Sequence, residues 1–337
     1  MEKRMTVRDS SIDVFRGITI LMVVFHHVMG EYYPESVNTV LYNIIWSLQM
    51  PAFFLISGYV NQYSFLHHKP SELIKRRTIS SLVPWFTWTI IVKGVLVGNY
   101  DLLNPLWLCY HIDGGFWFLF VLWLITMVYG VARFFAERMD TQLKQTIVFT
   151  VLYGICMMLF AALALVFGPS FLGMKYTLYY MLFYYVGYMW SVYSKRLLQW
   201  RHEHECRTLV VAASFILYVI LVSRFNFASG EDNLIGILLR GICSMTGCIC
   251  FFSLVQISEE GTTGRMFSWL GTHSLEIYVI HLTLIHIFPC GDGMRLMTLQ
   301  GMSACLLGTG LLAGISSAIA AILQKNVILR MLLCGKR

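Results

Sequence analysis

Apolar runs recur along the whole chain at the length of a bilayer crossing, near 12–30, 40–62, 79–98, 116–134, 145–166, 176–194, 208–223, 234–257, 269–288 and 298–323. Each helical crossing needs about 20 apolar residues, because the chain must satisfy its backbone hydrogen bonds without water. Only 13% of the residues are charged and 57% are apolar, whereas a soluble domain carries about 25% charge. A water-soluble fold is therefore excluded. The runs predict an all-α, polytopic integral membrane protein with about ten transmembrane helices. Spans and short loops use up the 337 residues, so one transmembrane domain over 1–337 is expected, with no separate soluble domain. No internal repeat or pair of matched broken helices marks an inverted-repeat transporter.

The net charge of +7 suggests a lipid bilayer rather than nucleic acid as partner once its placement is considered. With the N-terminus inside, 19 Lys and Arg fall in inner segments and 3 in outer loops; Arg16, Lys93 and Arg240 lie within spans. The positive-inside rule then places both termini in the cytoplasm. The basic start Met1–Arg8 and the apolar stretch Ile18–Val28 look like a secretory signal, but no small-residue cleavage site follows, so a retained first helix is expected. Nine cysteines are an odd number, and Cys156, Cys243, Cys248, Cys250 and Cys305 lie inside apolar runs, which makes them packing residues. Cys109 and Cys290 are the pair placed for an exported disulfide. No cysteine or histidine spacing suggests a metal. Trp46, Trp85, Trp107, Trp117 and Trp269 fall near span ends and suit an interfacial belt.

Ionisable side chains inside a bilayer are costly and mark candidate sites. The first span holds Asp13, Arg16, His26 and His27. At about 100° per residue, Arg16 and His27 lie about 20° apart around the helix, and Asp13 lies about 60° from Arg16 and 40° from His27. These three share one stripe, while His26 points about 100° away from His27. Eleven residues at 1.5 Å separate Arg16 from His27 by roughly 16 Å along the axis. In the ninth span, Tyr278 and His281 are neighbours on one face, at a depth similar to His27, and His286 points elsewhere. Glu276 is expected to be a buried hydrogen-bonding carboxylate, and Lys93 and Arg240 to snorkel to the interface. Pro51, Ser57 and Gly58 interrupt the second span. Lys75, Arg76 and Arg77 signal topology or hold a phosphorylated cytoplasmic ligand. In an outer loop, His111, Asp113 and Trp117 form a set suited to facing a carbohydrate.

In order, these segments resemble the membrane acyltransferase-3 family over nearly the whole chain. The motifs are Arg16, ten residues, then His27, within DVFRGITILMVVFHH; MPAFFLISGY from Met50 to Tyr59; the basic stretch before Pro84; Trp117-Phe118-Leu119; and IYVIH ending at His281. Two positions depart from the family pattern. Ser80 stands where a second arginine often follows Arg77 three residues on, and Gln49 stands where histidine commonly precedes Met-Pro.

The resemblance implies an acyltransferase that takes an acyl group, most often acetyl, from acyl-CoA to a hydroxyl of an exported or lipid-linked glycan, with no permanently bound cofactor. A bacterial cytoplasmic membrane is the implied location. His27 is then the general base, Asp13 positions or charge-balances Arg16, and Tyr278 or His281 stabilises the oxyanion or orients the acceptor. Arg16 with Lys75, Arg76 and Arg77 holds coenzyme A, and His111, Asp113 and Trp117 receive the acceptor. The competing readings are a secondary transporter or exporter of envelope glycan precursors, which would use the same groups as a proton relay, and a sensor or scaffold in which the histidines are structural.

Overall fold

A computed structural model describes residues 10–67, 70–112, 115–203, 206–224, 226–227, 233–255, 262–287 and 294–336. The described residues form helices in chain order and no strand: α1 (Ser10–Tyr32), α2 (Val40–His67), α3 (Pro70–Arg77), α4 (Val83–Thr89), α5 (Pro105–Tyr110), α6 (Trp117–Ala136), α7 (Gln142–Phe167), α8 (Met174–Glu203), α9 (Cys206–Arg224), α10 (Leu234–Val255), α11 (Thr262–Thr272), α12 (Ser274–Leu284), α13 (Leu299–Leu323) and α14 (Val327–Cys334). The protein is an all-α, polytopic membrane protein.

Seven segments among the described residues are helices long and apolar enough to cross a membrane. The other three expected spans are helical too, and each departs for a reason visible in its residues. Seven tyrosines between Met174 and Tyr193 lower the hydropathy of α8. The apolar part of α9 is short, Val211–Arg224. The span expected over 269–288 is two helices, broken at His273, where φ −110° and ψ 13° leave the helical region. The Thr272 hydroxyl donates to the Trp269 carbonyl at 2.8 Å, and His273 Nδ1 lies 2.9 Å from the same oxygen. That carbonyl is therefore withdrawn from the helical ladder.

Contacts group the chain into two compact units, Met1–Ile56 with Ser194–Ala320, and Ser57–Tyr193 with Ala321–Arg337. In the first unit, α1 is unbroken and largely buried, with Phe15, Ile20, Val24, Val28 and Met29 fully covered. Its tightest neighbour is α11. A Cβ on Gly17 would overlap the Phe267 carbonyl, and one on Gly271 would overlap the Asp13 carbonyl and lie 3.0 Å from the Gly17 nitrogen. Only glycine permits this approach, and small residues let membrane helices bring their backbones together.

Ten residues on from each glycine, His27 and His281 meet. The two strands of helix therefore run parallel and in step, as the expected span order requires of the first and ninth crossings. The step continues to the end of α1, where Tyr32 OH donates to the Ile285 carbonyl and Glu31 lies 3.1 Å from His286. A short 3-10 turn, Pro34–Asn38, then leads into α2. Glu35 in that turn accepts the Leu296 N–H at 3.0 Å, and Tyr33 OH donates to the Gly301 carbonyl at 3.2 Å.

In the second unit, the span expected over 79–98 begins nine residues earlier, at Pro70, and passes through two π-helical stretches, Thr78–Leu82 and Ile90–Leu96. Helix α14 packs on α4, where Trp88 Nε1 donates to the Leu333 carbonyl at 2.9 Å. Trp85 is buried against Phe120, with rings 5.0 Å apart, and so does not join the aromatic belt. The tyrosines of α8 turn inward: Tyr184 receives the Asn61 amide, and Tyr188 and Tyr129 pack 5.5 Å apart. Gly58 does not interrupt α2. It allows a close approach, since a Cβ there would overlap the Tyr184 carbonyl. Pro51 also lies within the continuous helix.

Candidate active site

The unbroken α1 keeps Asp13, Arg16 and His27 on one stripe. Asp13 is 6% exposed, and Arg16 and His27 are half-buried. The glycine crossing below and the Tyr32 contact above hold α12 alongside. His27 and His281 face each other with ring centroids 5.2 Å apart.

His281 is fully buried, and its Nδ1 lies 2.8 Å from the Ile277 carbonyl. A carbonyl oxygen only accepts, so Nδ1 carries the proton and the neutral ring presents an Nε2 lone pair. That Nε2 has no hydrogen-bond partner among the described residues. The site therefore contains a buried base-like nitrogen beside the half-buried His27. Tyr278, 4% exposed, lies one turn earlier with its ring 6.1 Å from His281. Glu276 is fully buried on the same helix. His286 turns away to the exposed pair with Glu31, as the spacing predicts.

His26 lies outside the His281 contact. Its ring sits 5.1 Å from Tyr42 and 5.0 Å from Trp46 on α2. Sequence spacing separated it from the stripe but gave no indication of these partners.

Lys75, Arg76, Arg77, His111 and Trp117 lie in the second unit. Lys75 and Arg76 are exposed, and Arg76 forks onto Glu72 at 2.7 and 3.1 Å. Arg77 is half-buried and within electrostatic reach of Tyr184 and Tyr129. Arg133, singled out by no motif, is 6% exposed and bonds Tyr188 OH at 3.4 Å on the same tyrosine cluster. Its position near the end of an apolar run made it look like a topology signal. His111 stacks on Trp107 at 4.2 Å and binds that residue's carbonyl, while Trp117 stacks on Tyr176 at 4.4 Å, so the two belong to separate stacks. Asp113 and Cys290 lie outside the described residues, and Cys109 is a free thiol. Lys93 donates to the His111 carbonyl and Arg240 to that of Asn226. An apolar cavity of about 590 Å³ in this unit is lined by Trp85, Phe86, Cys109, Phe120, Trp123 and Leu332, among others. Among the described residues, no group of three or more His, Cys, Asp or Glu side chains is placed to hold a metal ion.

Compared with known proteins, the chain matches the acyltransferase-domain model of the acyltransferase-3 family over residues 9–289. It is also similar to the nodulation protein NolL of Sinorhizobium fredii, with 26% identity over 144 residues, 38% of this chain and 37% of NolL. The chain thus spans little more than a third of the length of that curated relative.

Proposed function

The chain belongs to the acyltransferase-3 family, and from that premise we propose that it moves an acyl group, acetyl in the first instance, from cytoplasmic acyl-CoA to a hydroxyl of an exported or lipid-linked glycan. The observation that carries this reading is the meeting of His27 and His281 on two helices within the matched region, one of which also bears Arg16.

The acceptor oxygen attacks the thioester carbonyl carbon as its proton passes to a ring nitrogen of His27. The tetrahedral intermediate collapses with cleavage of the carbon–sulfur bond. The proton held by His27 goes to the departing coenzyme A thiolate, leaving an ester and free coenzyme A. With Nδ1 committed to Ile277, neutral His281 presents only an acceptor. It therefore suits orienting the acceptor hydroxyl, and the oxyanion falls to the donor hydroxyl of Tyr278.

Arg16 and His27 are roughly 16 Å apart along an unbroken helix, about the reach of an extended pantetheine arm. Arg16 at the cytoplasmic end, charge-balanced by Asp13, holds a phosphate of the donor, and its thioester reaches the outer half of the membrane. Within the second unit, the half-buried Arg77 is the residue of the basic stretch suited to a donor phosphate. The bacterial cytoplasmic membrane, with both termini inside, suits this direction.

The test follows transfer from labelled acetyl-CoA in purified membranes, with mass spectrometry of envelope glycans from cells with and without the protein. One acetyl unit per modified residue, lost in His27→Ala, is the expected result. Transport of glycan precursor without acyl-CoA dependence would replace this reading with an exporter.

A further inference from the structure

Helix α2 presents Tyr42, Trp46 and Gln49 at i, i+4 and i+7, within an arc of about 60°. Tyr42 and Trp46 stack, with centroids 6.0 Å apart and planes 11° from parallel. The His26 ring of α1 stands against both. His26 is 9% exposed, and neither of its ring nitrogens has a hydrogen-bond partner among the described residues. Gln49, 3% exposed, likewise has no partner for Oε1. Buried polar atoms are ordinarily satisfied, so three such atoms along one aromatic edge call for a ligand.

Their chemistry narrows its class. A neutral imidazole donates from one nitrogen and accepts at the other, and the glutamine oxygen accepts. A phosphate or carboxylate brings acceptors alone and would leave two of these atoms unmet. Two hydroxyls of one ring, each able to donate once and to accept, meet all three. Trp46 is 38% exposed beside the nearly buried Tyr42, so the stack offers an accessible aromatic edge to the apolar C–H face of a ring. His26 also adjoins His27, with ring centroids 5.4 Å apart.

We propose that His26, Tyr42, Trp46 and Gln49 form the subsite that binds a neutral sugar ring of the acceptor and turns one hydroxyl toward His27. This deepens the acyl-transfer reading and, as an acceptor site, rests on it. Here Gln49, which departs from the family pattern, is a specificity-determining residue.

The experiment is saturation-transfer NMR on the full chain in lipid nanodiscs without acyl-CoA. The probes are tetrasaccharides of glucose, of N-acetylglucosamine and of mannose. At least one receives saturation from the wild-type protein. Its affinity falls about tenfold in Trp46→Ala and in Gln49→Leu, whose volume is close to that of the native side chain, and is retained in Trp46→Tyr, which keeps the stack. No saturation of any probe, or an affinity equal to that of the wild type in both Gln49→Leu and Trp46→Ala, overturns the subsite. Trp46-dependent sugar binding by a protein that transfers nothing from acetyl-CoA keeps the subsite and removes the acyl-transfer reading. Transfer with an acceptor affinity indifferent to both residues does the reverse.

Discussion

Replacing Gly271 with alanine adds one methyl group where α1 and α11 touch, far along the helix from either histidine. The new Cβ would overlap the Asp13 carbonyl, so the backbones must part by about 1.5 Å to restore ordinary van der Waals separation. Neither partner yields cheaply, because the opposing atoms are backbone. Overpacking of this kind costs about 1–3 kcal/mol. The larger effect falls on the site, since α11 leads into α12 and carries His281 away from His27. A displacement of about 1 Å at reacting groups costs on the order of 100-fold in rate. Gly271→Ala is therefore expected to lower acetyl transfer by about 100-fold or more with every ionisable residue intact, and to lower the midpoint of thermal unfolding. Gly310→Ala on α13, where a Cβ meets nothing within 4 Å, is the control and changes neither. Transfer assays in nanodiscs and thermal unfolding in detergent measure both. A Gly271→Ala protein within about threefold of wild-type kcat/KM and with the same midpoint would refute the claim that this crossing sets the histidine pair.

Further outcomes follow from single residues. His27→Gln is expected to lose about 100- to 10,000-fold in kcat, the usual worth of a general base, without a matching rise in KM for acetyl-CoA; the two constants are read from one titration. His281→Phe keeps the ring volume but removes the Nε2 acceptor, and is expected to raise the acceptor KM more than the donor KM. Arg77→Ala is expected to raise the KM for acetyl-CoA about tenfold or more, as loss of a charged phosphate ligand does. Arg76→Ala changes it by less than about twofold, because Arg76 is in an exposed pair with Glu72. The Leu296 N–H and nearby Arg295 hold the exposed Glu35 carboxylate below its ordinary value of 4.5. Its folded pKa is depressed, so its tie to the 295–301 segment is complete above pH 4.5 and is lost as pH falls through the folded value. Hydrogen exchange at the Leu296 amide should quicken over that range in the wild type, and be fast and free of this pH step in Glu35→Leu.

Periodicity alone located the α1 stripe, but not the Gly17–Gly271 crossing that sets α12 beside it. Arg16 and His27 are fixed to one stripe by helix geometry, and no tertiary contact is needed to say so. The depth match of His27 and His281 followed from span order, and their 5.2 Å approach realises it. The break at His273 was not legible, because it arises from side chains of Thr272 and His273 competing for one carbonyl within an apolar run. The separation of Arg76 from Arg77 was hidden for a similar reason. Adjacent basic residues look alike in sequence, and only the packed helix decides which turns toward Tyr184. His26 shows the opposite limit: its direction away from the stripe was computable, but its aromatic neighbours come from another helix and no pattern within α1 names them.

The ten-residue interval shared by Gly17 to His27 and Gly271 to His281 makes chain length, rather than residue identity, the quantity that the site stores. Deleting one residue inside α1 between Gly17 and His27, or inside α12 before His281, would turn the downstream histidine by about 100° and draw it back by about 1.5 Å. Deleting one from both would not restore the pair, because equal turns in the same sense about parallel axes leave His27 where His26 now stands, facing away from His281. Two inactivating deletions, more than 200 residues apart in the chain, should therefore fail to rescue each other.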